Sequence, residues 1–355
     1  MTTEPRWERL RGRLDDEMQA ILVTSLVNVR YLTGFTGSNG AVLVTADAVV
    51  LATDGRYATQ AAAEAPGAEI VVCRAVAGDL AARAGAAGVR RLGIERHVVT
   101  LAAGDRLTGA AEDAGVELVD AGTPVEDLRV VKDDAELAAL ARACAVTDEV
   151  FTAVLSGLRA GITERDLAWR MRAEMWERGA EPGFDSIVAF GDNSARPHHQ
   201  PTDRPLAAGD FVKLDFGAQV DGYHADMTRT VVLGPAADWQ RELHHLVTDV
   251  QAAARSSALP GAVPVELDTA VRDRIESAGY DVAHGLGHGV GLEIHEAPFL
   301  VPGSTAGPLD IGATVTIEPG VYLPGRGGVR IEDTVVIRDG APTVLTASPR
   351  ELLEL

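Results

Sequence analysis

The sequence predicts an α/β protein of two domains, the second assembled from two related halves. Three observations carry this reading. The 355 residues exceed one typical domain. Short apolar runs alternate with helix-length segments through the first third, the pattern of a sheet flanked by helices. Finally, Gly161–Gly179 has a counterpart about a hundred residues later in Gly261–Gly279. Each segment opens on glycine, passes a short cap, runs as an amphipathic helix and stops at glycine, and each is followed by glycine- and histidine-rich sequence. Two such halves suggest a pseudo-twofold arrangement with a cleft between them, a natural place for a site.

Taken in order, Ala20–Val27 is a short apolar run, and Ala41–Thr45 and Val49–Ala52 read as strands. The turn-rich Gly34-Phe35-Thr36-Gly37-Ser38-Asn39-Gly40 precedes the second element. It lacks a Gly-Lys-Ser/Thr ending and precedes no helix, which argues against a phosphate cradle. Tyr57–Ala65 reads as a helix stopped by Pro66, and Ile70–Cys73 and Leu92–Ile94 as further strands of a mainly parallel sheet. A boundary near Ala121-Gly122-Thr123-Pro124 divides the chain into 1–125 and 126–355. Beyond it, Asp133–Leu158 is a long amphipathic helix with Leu137, Leu140, Cys144, Thr147 and Phe151 on one face. Thr163 caps the next helix, Asp166 completes a capping box, and Gly179 ends it after Arg178.

Composition narrows the function. Hydrophobic residues are 46 % and charged residues 24 % of the chain, an ordinary globular balance. The 32 basic residues against 52 acidic ones give a net charge of −20. That disfavours a nucleic-acid partner and an anionic membrane surface, both of which need a basic face. Cys73 and Cys144 read as small core residues, too few for a disulfide framework or a cysteine zinc cluster. Met1–Arg13 has no apolar signal region and no run reaches 18 apolar residues, so a cytoplasmic location is expected. Lys132 and Lys213 are the only lysines; this reads as compositional bias and carries no functional reading.

The chemistry concentrates in glycine-punctuated segments of the second domain. In Phe211-Val212-Lys213-Leu214-Asp215-Phe216-Gly217, strand alternation sets Asp215 on the face opposite Val212, Leu214 and Phe216. Asp226 follows eleven residues later, and Asp221-Gly222 supply a turn that brings the two carboxylates together in a hairpin. His284-Gly285-Leu286-Gly287-His288-Gly289 lets the backbone crowd against whatever His288 touches, and His295-Glu296-Ala297-Pro298 follows. Glu318 lies at a strand end, and Arg330 and Glu332 share one face of another strand. Asp215, Asp226, Glu318 and Glu332 gathered in one cleft could not all stay ionised without a cation. A carboxylate-rich set with one imidazole suits Mn²⁺, Co²⁺ or Zn²⁺, and two such ions make a hydrolytic pair.

These motifs resemble those of the pita-bread metallopeptidases, which include Xaa-Pro aminopeptidases, Xaa-Pro dipeptidases (prolidases), methionine aminopeptidases and creatinase. The resemblance covers essentially the whole chain. The segments Tyr31-Leu32-Thr33-Gly34-Phe35-Thr36-Gly37-Ser38 and Thr53-Asp54-Gly55-Arg56-Tyr57 resemble a creatinase-like N-terminal domain, which methionine aminopeptidases lack. Leu128-Arg129-Val130-Val131-Lys132 resembles the family's lead into the catalytic domain. The fold implied is α/β (α+β): a pita-bread catalytic domain at 126–355 behind a smaller α/β domain at 1–125.

The resemblance implies a role for each matching residue. Asp215 would hold the first metal, Asp226 and Glu332 would bridge, and His288 and Glu318 would hold the second, Glu318 also serving as general base. His198, after Pro197, would contact substrate, with His199 as the alternative register. His295 would stabilise the tetrahedral intermediate, Arg330 would stand behind the ligands, and His284 would line the substrate site. His224 reads as structural. The implied cofactor is two divalent ions, Mn²⁺ first, with Co²⁺ or Zn²⁺ as alternatives.

The implied reaction is hydrolysis of the bond before proline in short peptides. The N-terminal motifs lean toward Xaa-Pro aminopeptidase, with Xaa-Pro dipeptidase as the alternative. Metal-free creatine hydrolysis and a non-catalytic binding module are weaker readings, because every expected ligand is present. Arg56 and the 34–40 loop are candidates for shaping the far end of the substrate site. A homodimer is expected, with Phe35 as an exposed contact on that loop.

Overall fold

The computed structural model describes residues 4–355. They form two compact units that divide after Arg129, within the helix Pro124–Val130. Among the described residues no helix is long and apolar enough to cross a membrane.

The first unit is a six-stranded sheet in the order Glu69–Val72, Val49–Thr53, Gly40–Thr45, Ala20–Val23, Arg91–Ile94, Glu117–Asp120. Gly40–Thr45 runs antiparallel to both its neighbours, while the other three pairings are parallel, so the sheet is mixed rather than mainly parallel. The reason is local. Only three residues separate Thr45 from Val49, enough for a hairpin and too few for a parallel crossover. The helices Val76–Ala86 and Leu101–Asp113 cover one face and bury Leu80, Ala84, Leu107 and Ala111 against Leu22, Leu43 and Leu92.

Phe35 corrects an expectation. It is 1 % exposed and packs edge-on against Tyr57, with ring centroids 5.9 Å apart. A Cβ at Gly37 would lie 2.2 Å from its Cζ, so the loop glycines make room for this ring. Arg56 is paired with Asp54 at 2.8 Å. Cys144 is buried as expected, whereas Cys73 is only partly covered.

In the second unit the repeat read from the sequence takes physical form. The helices Asp134–Leu155 and Glu164–Glu177 pack against the strands Ile187–Phe190, Phe211–Phe216 and Met227–Val232. The helices Asp238–Ser257 and Pro264–Ser277 pack against a five-stranded sheet built around Thr314–Ile317. The correspondence extends to backbone pairing. Gly161 N–H donates to Leu206 O and Gly261 N–H to Leu309 O, both at 2.8 Å, with return bonds from Leu206 to Ile162 and from Leu309 to Ala262. All four bracketing glycines, 161, 179, 261 and 279, have φ between +74° and +91°, a region an L side chain rarely enters. Thr163 and Asp166 form the expected capping box, and Asp133 with Glu136 forms another.

Asp333 ties the elements around the site together. Its side chain is fully buried and accepts from Arg229 (2.8 Å), Arg255 (3.0 Å), Arg350 (2.6 Å), Gln251 (2.7 Å) and Thr346 (2.8 Å). Burial alone would raise its pKa from 3.8; the arginines outweigh that and hold it down to about 2. A depressed folded-state pKa gives stability that is present above the unfolded value and lost as pH falls toward the folded one. We therefore predict that Asp333→Ala costs about 3–5 kcal/mol at neutral pH, by leaving buried Arg229 uncompensated. Urea denaturation measures the loss, which should shrink as pH falls from about 4 toward 2.

Candidate metal centre

The strand pair Phe211–Phe216 and Met227–Val232 places Asp215 opposite Thr228 and sets Asp226 just before the second strand. Between them Asp221 (φ +52°) and Gly222 (φ +82°) close a two-residue turn of the primed type, which suits strand twist. His288 lies in the short strand Gly287–Gly289, Glu318 follows Thr314–Ile317, and Glu332 follows Gly327–Arg330. A Cβ at Gly287 would fall 2.1 Å from Thr316 O, so the close approach that puts His288 beside Glu318 requires glycine there.

Asp226, His288 and Glu332, all buried, present ligand atoms within 4.8 Å of one another. Glu318 Oε1 stands 3.4 Å and Asp226 Oδ2 3.6 Å from His288 Nε2. Asp215 and Arg330 form a close ion pair in the same cavity, about 330 Å³ in volume, which all five acidic and imidazole residues line. His198, His284 and His295 line it too. All nine residues singled out in the sequence therefore meet in one place. His199 does not: it is 4 % exposed and bonded to Glu164 at 2.8 Å.

The donor set fits a divalent cation on two counts. Burial first, then mutual repulsion, pushes Asp226 and Glu332 well above the ordinary carboxylate range. Such carboxylates hold protons until a cation replaces them. His288 Nδ1 donates to Gly289 O at 3.0 Å. Burial would lower its pKa, but the hydrogen bond and charge of Glu318 raise it, so without a cation Nε2 also carries a proton toward the carboxylates, the proton a metal would displace. Glu318 differs: burial would raise it, but the hydrogen bond and charge of His288 hold it down to about 2.

A second layer fixes these groups. Arg330 donates to Thr228 Oγ1 (3.0 Å), Tyr322 OH (2.8 Å) and Pro197 O (3.3 Å). Thr228 in turn donates to Glu332 at 2.7 Å. His284 Nδ1 faces Gly285 O and its Nε2 faces Tyr322 OH, each at 2.8 Å. Burial pushes the Tyr322 hydroxyl up to about 12, so it stays protonated and donates to Nε2. His284 thus has both nitrogens engaged and offers the cavity its ring. His224 is structural, its nitrogens occupied by Gly291 O and Gln219. The ring of His295 meets that of His288 edge-on, centroids 4.3 Å apart.

A family model described as metallopeptidase family M24 matches residues 138–339, more than half the chain, and one described as creatinase/prolidase N-terminal domain matches 6–131.

The chain belongs to metallopeptidase family M24.

Its second unit is the pita-bread fold and its first the creatinase-type domain that precedes it. This metallopeptidase is 41 % identical over 232 residues to the Xaa-Pro dipeptidase of Pyrococcus furiosus, covering 64 % of this chain and 66 % of the relative. The solved Xaa-Pro dipeptidase from Bacillus anthracis superposes with a TM-score of 0.94 at 37 % identity, over 99 % of both chains. The X-Pro aminopeptidase from Thermotoga maritima superposes with a TM-score of 0.89 at 32 % identity, over 99 % of this chain and 100 % of the other.

Sequence reasoning missed Thr228 and Tyr322. Thr228 was legible in principle, since strand alternation puts it on the face of Asp226. Tyr322 carried no local signal. For this metallopeptidase we predict that Asp226→Ala or Glu332→Ala lowers bound metal, assayed by elemental analysis after dialysis, and abolishes peptide turnover. Full metal content with full activity would remove both from the ligand set.

Proposed function

We propose that this metallopeptidase cleaves the bond before proline in Xaa-Pro dipeptides. The observation that carries the reading is the match to a solved Xaa-Pro dipeptidase over 99 % of both chains at 37 % identity. The lean toward aminopeptidase rested on the N-terminal motifs. Those motifs do not discriminate, because the domain model they match is shared by creatinase and prolidase. The relatives favour the dipeptidase alternative, although an X-Pro aminopeptidase shares the fold.

In this proposal Asp215, Asp226, His288, Glu318 and Glu332 hold two divalent ions, with Mn²⁺ suited to so oxygen-rich a set. When bound, such ions supply Lewis acidity and lower the pKa of water. The side chains supply the rest. Glu318 takes the proton of the attacking water and returns it to the departing nitrogen. His295 donates to the oxygen that gains charge as the carbonyl becomes tetrahedral. Its pKa is lowered, first by burial and then by His288. It is therefore a neutral donor near pH 7. His198, which lines the same cavity, meets the substrate, and Arg330 fixes Asp215. Proline lacks an N–H and fixes φ, so recognition rests on shape and on the peptide's ends. A homodimer in the cytoplasm completes the proposal.

The test compares turnover of an Xaa-Pro dipeptide with that of the matching Xaa-Pro-Yaa tripeptide by metal-loaded enzyme. A kcat/KM at least ~10-fold higher on the dipeptide is expected, about 1.4 kcal/mol of discrimination. A preference for the tripeptide would return the assignment to aminopeptidase. His295→Ala should lower kcat by about 10²-fold and leave metal content unchanged, as for an oxyanion donor. Loss of metal instead would make it a ligand.

A further inference from the structure

His198 reaches the cavity from a segment with little regular structure. Between the strands Ile187–Phe190 and Phe211–Phe216 the chain makes one short 3₁₀ turn, Gly191–Ala195, and then runs without a strand partner through residues 196–202. Something other than a sheet ladder must set the direction of His198.

Glu164, the first residue of the helix Glu164–Glu177, is fully buried. Its carboxylate accepts five hydrogen bonds, all from this segment or its leading edge. Oε1 takes Phe190 N–H at 2.8 Å and Asn193 Nδ2 at 2.9 Å. Oε2 takes His199 Nε2 at 2.8 Å, Thr202 N–H at 2.9 Å and Thr202 Oγ1 at 2.6 Å. Burial would raise this carboxyl; the donors outweigh it and hold the group below its ordinary range. It is therefore an ionised acceptor.

The other side of the segment is held by Lys213, also fully buried. Its Nζ donates to Arg196 O at 2.6 Å and Pro197 O at 3.2 Å. Residues 196, 197, 199 and 202 are thus anchored on both sides of His198, which faces the cavity between them.

We propose that Glu164 is a positioning residue for the hydrolysis: it fixes the 190–202 segment, against Lys213, so that His198 meets the substrate. This rests on the role given to His198 above. A buried carboxylate is destabilising unless its donors are supplied. An apolar side chain would fill the same space without that cost, but it would gather none of the five donors.

A double-mutant cycle in the full-length, Mn²⁺-loaded enzyme tests this, with an Xaa-Pro dipeptide as substrate. His198→Ala and Glu164→Gln should each lower kcat/KM by ~10-fold or more, and after Glu164→Gln the further loss from His198→Ala should fall below ~3-fold. Mn²⁺ binding by calorimetry should be unchanged in Glu164→Gln, because Glu164 touches none of the candidate ligands. If Glu164→Gln fails to fold, Thr202→Val removes one donor from the same Oε2 and should show a smaller loss with the same non-additivity. Penalties that simply add would overturn the positioning role alone. No loss from His198→Ala by itself would withdraw the role of His198 and this proposal with it.

Discussion

The physical constraint around which the catalytic unit is organised is the crowding of buried carboxylates. Asp226 and Glu332 are each almost fully enclosed and share one pocket with Glu318 and Asp215. Left as anions in a low-dielectric site they would repel one another by more than the fold could absorb. The surroundings treat them unequally. Arg330 takes Asp215, Thr228 takes Glu332, and His288 holds Glu318 ionised. Burial and mutual repulsion still hold Asp226 and Glu332 well above the ordinary carboxylate range, and with His288 they are the three whose ligand atoms converge. The chemistry a cation would supply is written into that imbalance.

The supports for the site follow the internal repeat. Each half contributes a pair of helices, the second bracketed by glycines at positive φ, and a sheet on which those helices rest. Asp215 and Asp226 come from the first half, His288, Glu318 and Glu332 from the second. Asp333 joins them by holding Arg229 of the first sheet and Arg255 of a second-half helix on one carboxylate. Its neighbour Glu332 is thereby fixed from behind.

The two lysines show how a compositional fact can conceal a structural one. In a chain where arginine supplies the other basic residues, Lys132 and Lys213 are both buried. Lys132 pairs with Glu296, next to His295, at 2.7 Å, and Lys213 holds the carbonyls before His198. A compact amine on a straight stem fits such enclosed positions, where a planar guanidinium needs five partners. Burial brings Lys213 down to about 6, so it holds those carbonyls largely as a neutral donor. The scarcity of lysine was visible in the sequence, but nothing in the sequence showed where the two side chains ended.

Residue type and spacing by themselves determined the α/β class, the internal repeat, the Thr163–Asp166 capping box and the set Asp215, Asp226, His288, Glu318 and Glu332, while resemblance to known motifs added His198 and the roles of His284, His295 and Arg330. These are local or periodic signals: a turn that demands glycine, a cap that needs a hydroxyl, carboxylates that cannot be neighbours without a cation. Tertiary structure alone decided which of two adjacent histidines faces the cavity, because that depends on Glu164, 34 residues before His198. It also decided that Phe35 packs inward and that His284 has both nitrogens engaged. The sheet order of the first unit, with one antiparallel strand at its centre, likewise emerged only from long-range pairing. In each case the deciding partner lies far away in the chain, and burial and hydrogen-bond satisfaction are properties of the assembled surroundings rather than of the segment.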